Sequence, residues 1–305
     1  MSPTLSKAQS GTQSGVRPPA AVEVVPEGVL AAARSNQGEP PVLAFVGLEE
    51  GALVPGVDEP NLRAPAAVTE GIRAALENVS PQTRSVTVVV PDIAVRVFVL
   101  DFDSLPPKAL EAIPVVRFRL RKMVHFDVEK ASVSYQVLSE SKTECRVLIA
   151  VMPGPILEEY ESAVRAAGYE PGAVLPSSLA ALATVNTEEA VLEACMSGSS
   201  MTTSITYGQD LLLYRTLELP ADPVQRLAEV QRDIAVAAAY FEDKLGRRPR
   251  WLHYAGISTA EDFGRWIRDP ELTVIEMTPK PETGATTALK RISLAGITGA
   301  LAGEV

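Results

Sequence analysis

Apolar and polar positions alternate along the chain in short runs broken by Pro, Gly and Asp, and the runs predict an α/β protein. Ala21 to Ser35 holds two brief apolar runs around a Pro-Glu-Gly turn, the pattern of a β-hairpin. Pro41 to Leu48 is a third extended segment. Pro65 to Val79 reads as a helix, with Val68, Ile72, Ala75 and Leu76 on one side. Val86 to Val90 and Ala94 to Leu100, rich in β-branched residues, are strands parted by a Pro-Asp break. Ala109, Ile113, Val116, Leu120 and Met123 then recur at steps of 4, 3, 4 and 3, one apolar face of a helix. Pro114 is expected in its first turn, where a missing N–H does no harm. The opposite face carries Arg117, Arg119, Arg121 and Lys122.

Ser132 to Leu138 alternates like a strand, and Cys145 to Met152 follows as another. Ile156 to Ala167 is a helix with Leu157, Tyr160 and Val164 inward and Gly168 as its stop. Pro171 to Leu175 extends back toward the first unit. The order β-α-β-β-α-β between Ala94 and Leu175 matches a ferredoxin-like arrangement. Strands at Val191–Met196, Met201–Tyr207 and Leu211–Leu217 open a second half. Asp222-Pro223 starts the longest helix, with Asp222 as cap and Val224, Leu227, Ile234, Ala238, Phe241 and Leu245 as its stripe. Gly246 ends it, so about 23 residues span about 34 Å. Arg250 to Ala255 and Leu272 to Met277 are further strands, and a helix around Thr286 to Leu301 closes the chain.

Composition narrows the function. With 305 residues, 46% of them apolar, there is material for one large domain or two moderate ones. A formal net charge of −10 argues against a dedicated nucleic-acid binder. Cys145 and Cys195 are too few for a disulfide framework and read as buried hydrophobes in a reducing compartment. Two histidines make an ordinary metal site improbable. His125, at the helix exit, reads as a capping or packing residue. No run of 18 apolar residues occurs. Residues 1–20 are polar and Gly/Ser/Pro-rich, a disordered lead-in without a secretory core. The expectation is a cytoplasmic protein with no direct membrane insertion, held at the inner membrane by a partner.

Leu105-Pro106, a helix, His125-Phe126-Asp127 and the strand Val133-Ser134-Tyr135-Gln136-Val137-Leu138 come in an order that resembles the inserted subdomain of PilM-type pilus assembly proteins. His125 stands where that family usually has proline. The resemblance implies an actin-like (ribonuclease H-like) two-lobed fold with the ferredoxin-like subdomain inserted. Residues 21–93 and 176–190 would form the first lobe, 94–175 the insert and 191–305 the second lobe. Thr202 to Arg215 parallels Ala21 to Arg34, a weak internal repeat of the kind a duplicated actin-like fold would show.

The same resemblance says where nucleotide chemistry would sit. An actin-like ATPase cradles phosphates in two glycine-bearing hairpin turns, each with an aspartate that organises magnesium. The first turn here, Val24 to Gly28, has no aspartate, and the second, Met196 to Thr203, has Met196 at the aspartate position, a poor magnesium ligand. His253 to Ser258 keeps one glycine, Gly256, where adenosine contacts expect a pair. If nucleotide binds, Ser197, Gly198, Ser199, Ser200, Thr202 and Gly256 are its contacts. No GxGxxG, Walker loop or CxxC pair occurs, and no catalytic or metal-ligating residue is assigned. The expectation is a non-catalytic scaffold without cofactor. As implied by the resemblance, it takes the cytoplasmic tail of a PilN-like single-span membrane protein in a cleft beside the insert, among other platform or motor proteins. Arg117, Arg119 and Arg121 are its candidate partner contacts. The alternative is an ATP–magnesium-binding protein or ATPase of a pilus or type II secretion system.

Overall fold

The computed structural model describes residues 17–35, 40–141, 143–208, 210–279, 289 and 292–302. Strands β1 (Ala20–Val25), β2 (Gly28–Ala33) and β3 (Val42–Gly47) form a meander, and helix α1 (Pro65–Val79) leads into β4 (Ser85–Val90). A single turn of 3-10 helix, Asp92–Ala94, precedes β5 (Arg96–Phe102), α2 (Ala109–Leu120), β6 (Ala131–Glu140) and β7 (Cys145–Pro153). Helix α3 (Gly154–Ala166), β8 (Glu170–Pro176) and the short α4 (Ser177–Ala181) complete the first half. The second half runs β9 (Ala190–Ser197), β10 (Ser200–Tyr207), β11 (Asp210–Glu218), α5 (Pro223–Leu245), β12 (Trp251–Ala255), α6 (Ala260–Ile267), β13 (Thr273–Glu276) and α7 (Ala295–Ala302).

Two five-stranded sheets carry the halves, in the orders β3-β2-β1-β4-β8 and β11-β10-β9-β12-β13. In each, the first three strands are antiparallel and the last two run parallel to the central strand. The halves are therefore two copies of one plan. The repeat is displaced from its predicted register: β1–β2 corresponds to β9–β10, not to β10–β11. Hairpins of alternating residues look alike in sequence, but only this pairing puts the central strands in step. It also superposes Glu23 and Glu193, each the fourth residue of its strand.

The predicted β-α-β-β-α-β order is present, with one change in pairing. Strands β5, β7 and β6 make a separate three-stranded sheet, whereas β8 pairs with β4 in the first lobe. Helix α3 goes with it, burying Ile156, Tyr160, Ala163 and Val164 in the first lobe's core against Val68, Ile72 and Leu76 of α1. The insert is thus β5-α2-β6-β7, spliced between β4 and α3. Its core joins Ala112, Val116 and Leu120 of α2 to Val133, Val147, Ile149 and Val151.

The strongest local signals hold. Pro65 opens α1, and Asp222 caps α5 by accepting hydrogen bonds from the N–H groups of Val224 (3.1 Å) and Gln225 (2.9 Å). Gly246 closes α5 with φ of 68°. Two expectations shift. Val224 is exposed, and the buried stripe of α5 is Val230, Ile234, Ala237, Ala238 and Phe241. Pro114 sits inside α2 rather than in its first turn. There the missing N–H would leave the carbonyl four residues back, that of the exposed Leu110, to solvent. The face of α2 follows, with Met123 exposed and Ala112 buried. At the N-terminus, Ala20 already lies in β1 and the Arg17 guanidinium reaches the Gly299 carbonyl (3.4 Å), so order begins before residue 21; residues 1–16 and 286–288 lie outside the described residues.

Candidate functional site

Two concavities flank the first lobe. The first is the cleft between the lobes, lined from one side by Glu23, Asp92, Ser177 and Ser178 and from the other by Met196, Ser197 and Gly198. Its volume is about 30 Å³, room for one or two waters and far below the ~300–1,000 Å³ of ordinary ligand pockets. The two hairpin turns close on each other here. Gly198 adopts φ of 55°, which favours glycine, and a Cβ there would lie 3.7 Å from Pro26.

Glu23 is a carboxyl in an otherwise apolar strand. It accepts hydrogen bonds from the Ser177 hydroxyl and the Ile297 N–H, while Oε2 is buried without a partner. Burial is the main reason its pKa rises to about 7, with nearby Asp92 adding to it. Asp92 accepts from the Ser178 N–H (2.9 Å) and hydroxyl (2.6 Å) and from the Tyr214 hydroxyl (3.2 Å), joining the first lobe to β11 of the second. Burial raises its pKa as well. Glu193, the counterpart of Glu23, accepts from the Thr206 hydroxyl (2.6 Å) and is likewise raised by burial to about 7. Burial pushes the Cys195 thiol far above its usual range, which disfavours the reactive thiolate. Among the described residues, no cluster of His, Cys, Asp and Glu is arranged to hold a metal ion.

Of the sequence-predicted nucleotide contacts, Ser197 and Gly198 face this cleft. Ser200 donates to the Ser197 carbonyl (3.0 Å), and Thr202 shares a hydrogen bond with Thr216 across the sheet (2.9 Å). Ser199 is on the exposed side of its turn. Gly256 lies against Tyr254, whose hydroxyl a Cβ would meet at 2.0 Å, so packing requires glycine there. Glu23, Glu193 and Asp92 were not singled out in the sequence. The available signal was a lone acid at the same place in two apolar strands, AAVEVV and AVLEAC.

The second concavity is a groove of about 700 Å³ between the insert and the first lobe. Strand β6 supplies one side through Ala131 to Ser134, and β8 the other through Pro171 to Val174. Both are edge strands of their sheets. The floor is apolar, with Val90, Val95, Ala150, Met152 and Leu157, and the rim is charged, with Arg165 bonded to Glu158 (3.4 Å) and Glu161 (2.6 Å). The three candidate arginines separate. Arg117 lines the groove, yet its guanidinium donates to the carbonyls of Val128 (2.6 Å), Glu129 (2.8 Å) and Ala131 (3.0 Å), pinning α2 to the start of β6. Arg121 pairs with Glu129 at 2.6 Å, and Arg119 is exposed. His125 bonds to Asp58 at 2.7 Å, so it ties the insert to the first lobe's long loop.

The sequence matches no protein-family model and no curated protein. Solved structures do match. A chain of a PilM–PilN type IV pilus biogenesis complex aligns with a TM-score of 0.69 at 17% identity, covering 95% of this chain and 97% of that one. The cytoplasmic domain of EpsL, an inner-membrane component of the type II secretion system of Vibrio cholerae, aligns at 0.52 and 14% identity, covering 93% and 94%. A Bacteroides thetaiotaomicron protein with an actin-like ATPase fold aligns at 0.51 and 10%, again over 93% and 94%. At these identities the likeness is one of fold: the chain has the two-lobed actin-like fold, in the form that the PilM–PilN complex contains.

Proposed function

We propose that the protein is a non-catalytic scaffold of a type IV pilus inner-membrane platform, and that the groove between β6 and β8 takes the cytoplasmic tail of a PilN-like single-span membrane protein. The groove carries the reading. Two unpaired strand edges face an apolar floor, so an extended peptide finds backbone partners and side-chain pockets together. The fold shared with a chain of the PilM–PilN complex supports it. Other platform or motor proteins fit the same role. No described helix is long and apolar enough to cross a membrane, consistent with attachment through a partner.

A nucleotide-dependent rival draws on Glu23 and Asp92, two carboxyls beside Gly198. Against it stand the size of the cleft, the thioether of Met196 and carboxyl pKa values raised toward the neutral form. A photo-crosslinker at Ser134, on the exposed side of β6, tests the leading reading on intact membranes. The expected product joins this chain to the first residues of a single-span protein. Crosslinks to soluble proteins alone would remove the platform assignment.

A further inference from the structure

Helix α2 is apolar on two sides, and only one is covered. Ala112, Val116 and Leu120 point into the core of the insert. Leu110, Pro114 and Phe118 repeat the same four-residue step two positions out of phase, about 200° around the helix. That places them on the opposite side, where Leu110 is 88% and Phe118 65% exposed. An exposed leucine alone is ordinary, but leucine and phenylalanine two turns apart, with proline between them, make a stripe. Exposed Lys122 lies one turn beyond Phe118 and exposed Arg119 about 100° around from it, while the exposed Glu111 on the same side pairs with Lys108 at 3.5 Å. In a chain of net charge −10, four of the six residues from Arg117 to Lys122 are basic.

We propose that the outer face of α2 lies on an anionic bilayer surface, with Leu110 and Phe118 among the headgroups, Lys122 facing the lipid phosphates and the long Arg119 side chain reaching round to them. Apolar residues framed by basic ones are what a surface-bound helix needs: hydrophobic burial holds it, and each basic residue adds attraction within a Debye length of the lipid. The contact is shallow and spans nothing. Geometry favours lipid over a second protein, because Ile113 and Arg117 of the same helix line the groove. A tail held there is anchored in the bilayer by its own span, so a short connecting stretch would bring α2 to the headgroups. The inference rests on the groove reading for that nearness alone.

The test is flotation of the full chain, without partner, with vesicles of phosphatidylglycerol and phosphatidylcholine in equal parts, against pure phosphatidylcholine. The chain is expected to float with the anionic vesicles only. Replacing Leu110→Ser and Phe118→Ser together should lower the bound fraction about tenfold, and Arg119→Glu with Lys122→Glu should abolish the preference for anionic lipid. All four side chains point outward, so the thermal midpoint and tail binding in the groove should persist. Absence of flotation, or flotation that either pair of substitutions leaves unchanged, overturns the proposal. So does a pair of substitutions that costs capture of a protein partner while vesicle binding survives. Loss of tail binding with flotation intact would instead defeat the groove reading and leave this one standing.

Discussion

The cleft and the groove are opposite answers to the same problem of what a concave surface does with polar atoms. In the cleft, Glu23 and Asp92 are buried and turned inward onto Ser177, Ser178 and Tyr214. In the groove, strand edges and a charged rim stay open to an incoming chain. An actin-like body offers both places because it is built twice and spliced once. Here the larger space belongs to the splice, and the cleft between the lobes holds a joint of buried acids and hydroxyls.

The largest effect expected from disturbing this contrast is on the buried acids. Glu23 and Glu193 titrate near 7 when folded and near 4.5 when unfolded. A raised acid favours the folded state below its unfolded value, and that contribution disappears as pH climbs through the folded one. Each carboxyl therefore removes roughly 3 kcal/mol between pH 5 and 8. The thermal midpoint should fall across that window, and Glu23→Gln with Glu193→Gln should reduce the slope, with the raised acids Asp92 and Asp233 keeping a remainder. A profile that keeps its slope in the double variant would show that other groups titrate.

On the groove side, Ser134→Trp should weaken tail binding about thirtyfold or more while leaving the melt unchanged, as read by fluorescence titration. A weaker binder with a lowered melt would show the site to be structural instead. Arg117→Ala releases three backbone carbonyls and should cost roughly 1–3 kcal/mol by denaturant titration, whereas Arg119→Ala should cost nothing measurable. Equal costs would mean that the groove wall does not depend on Arg117. The smallest effect expected is none: millimolar MgATP should leave the melting midpoint where it was, since a ligand that binds only the folded state must raise it. A rise of several degrees would revive the nucleotide reading.

Much of this architecture was legible from the residues. Pro65, the Asp222-Pro223 pair and Gly246 marked helix ends because each acts within one turn, through a cap or a fixed dihedral. Pro114 misled for the same reason: its usual place is a first turn, and only the packing of Ala112, Val116 and Leu120 keeps it mid-helix. Pro171 to Leu175 reads as a strand returning toward the first unit, but the sheet it joins is not legible locally, since Glu170 to Pro176 suits an edge of either. The register of the repeat was lost because apolar hairpins differ little. Glu23 and Glu193 were overlooked as single letters in valine- and alanine-rich runs. Asp92 read as a break between strands, although its partners Ser178 and Tyr214 are 86 and 122 residues away.

The splice point has one more implication. Strand β8 walls the groove through Pro171 to Val174, and its next residues, Ser177 and Ser178, hold Glu23 and Asp92 in the cleft. Seven residues of extended backbone thus act as a tie-rod between the two places. The serines' hydrogen bonds favour the charged carboxylates while burial favours the neutral acids, so the strand that walls the groove also carries the donors against which two buried charges are balanced.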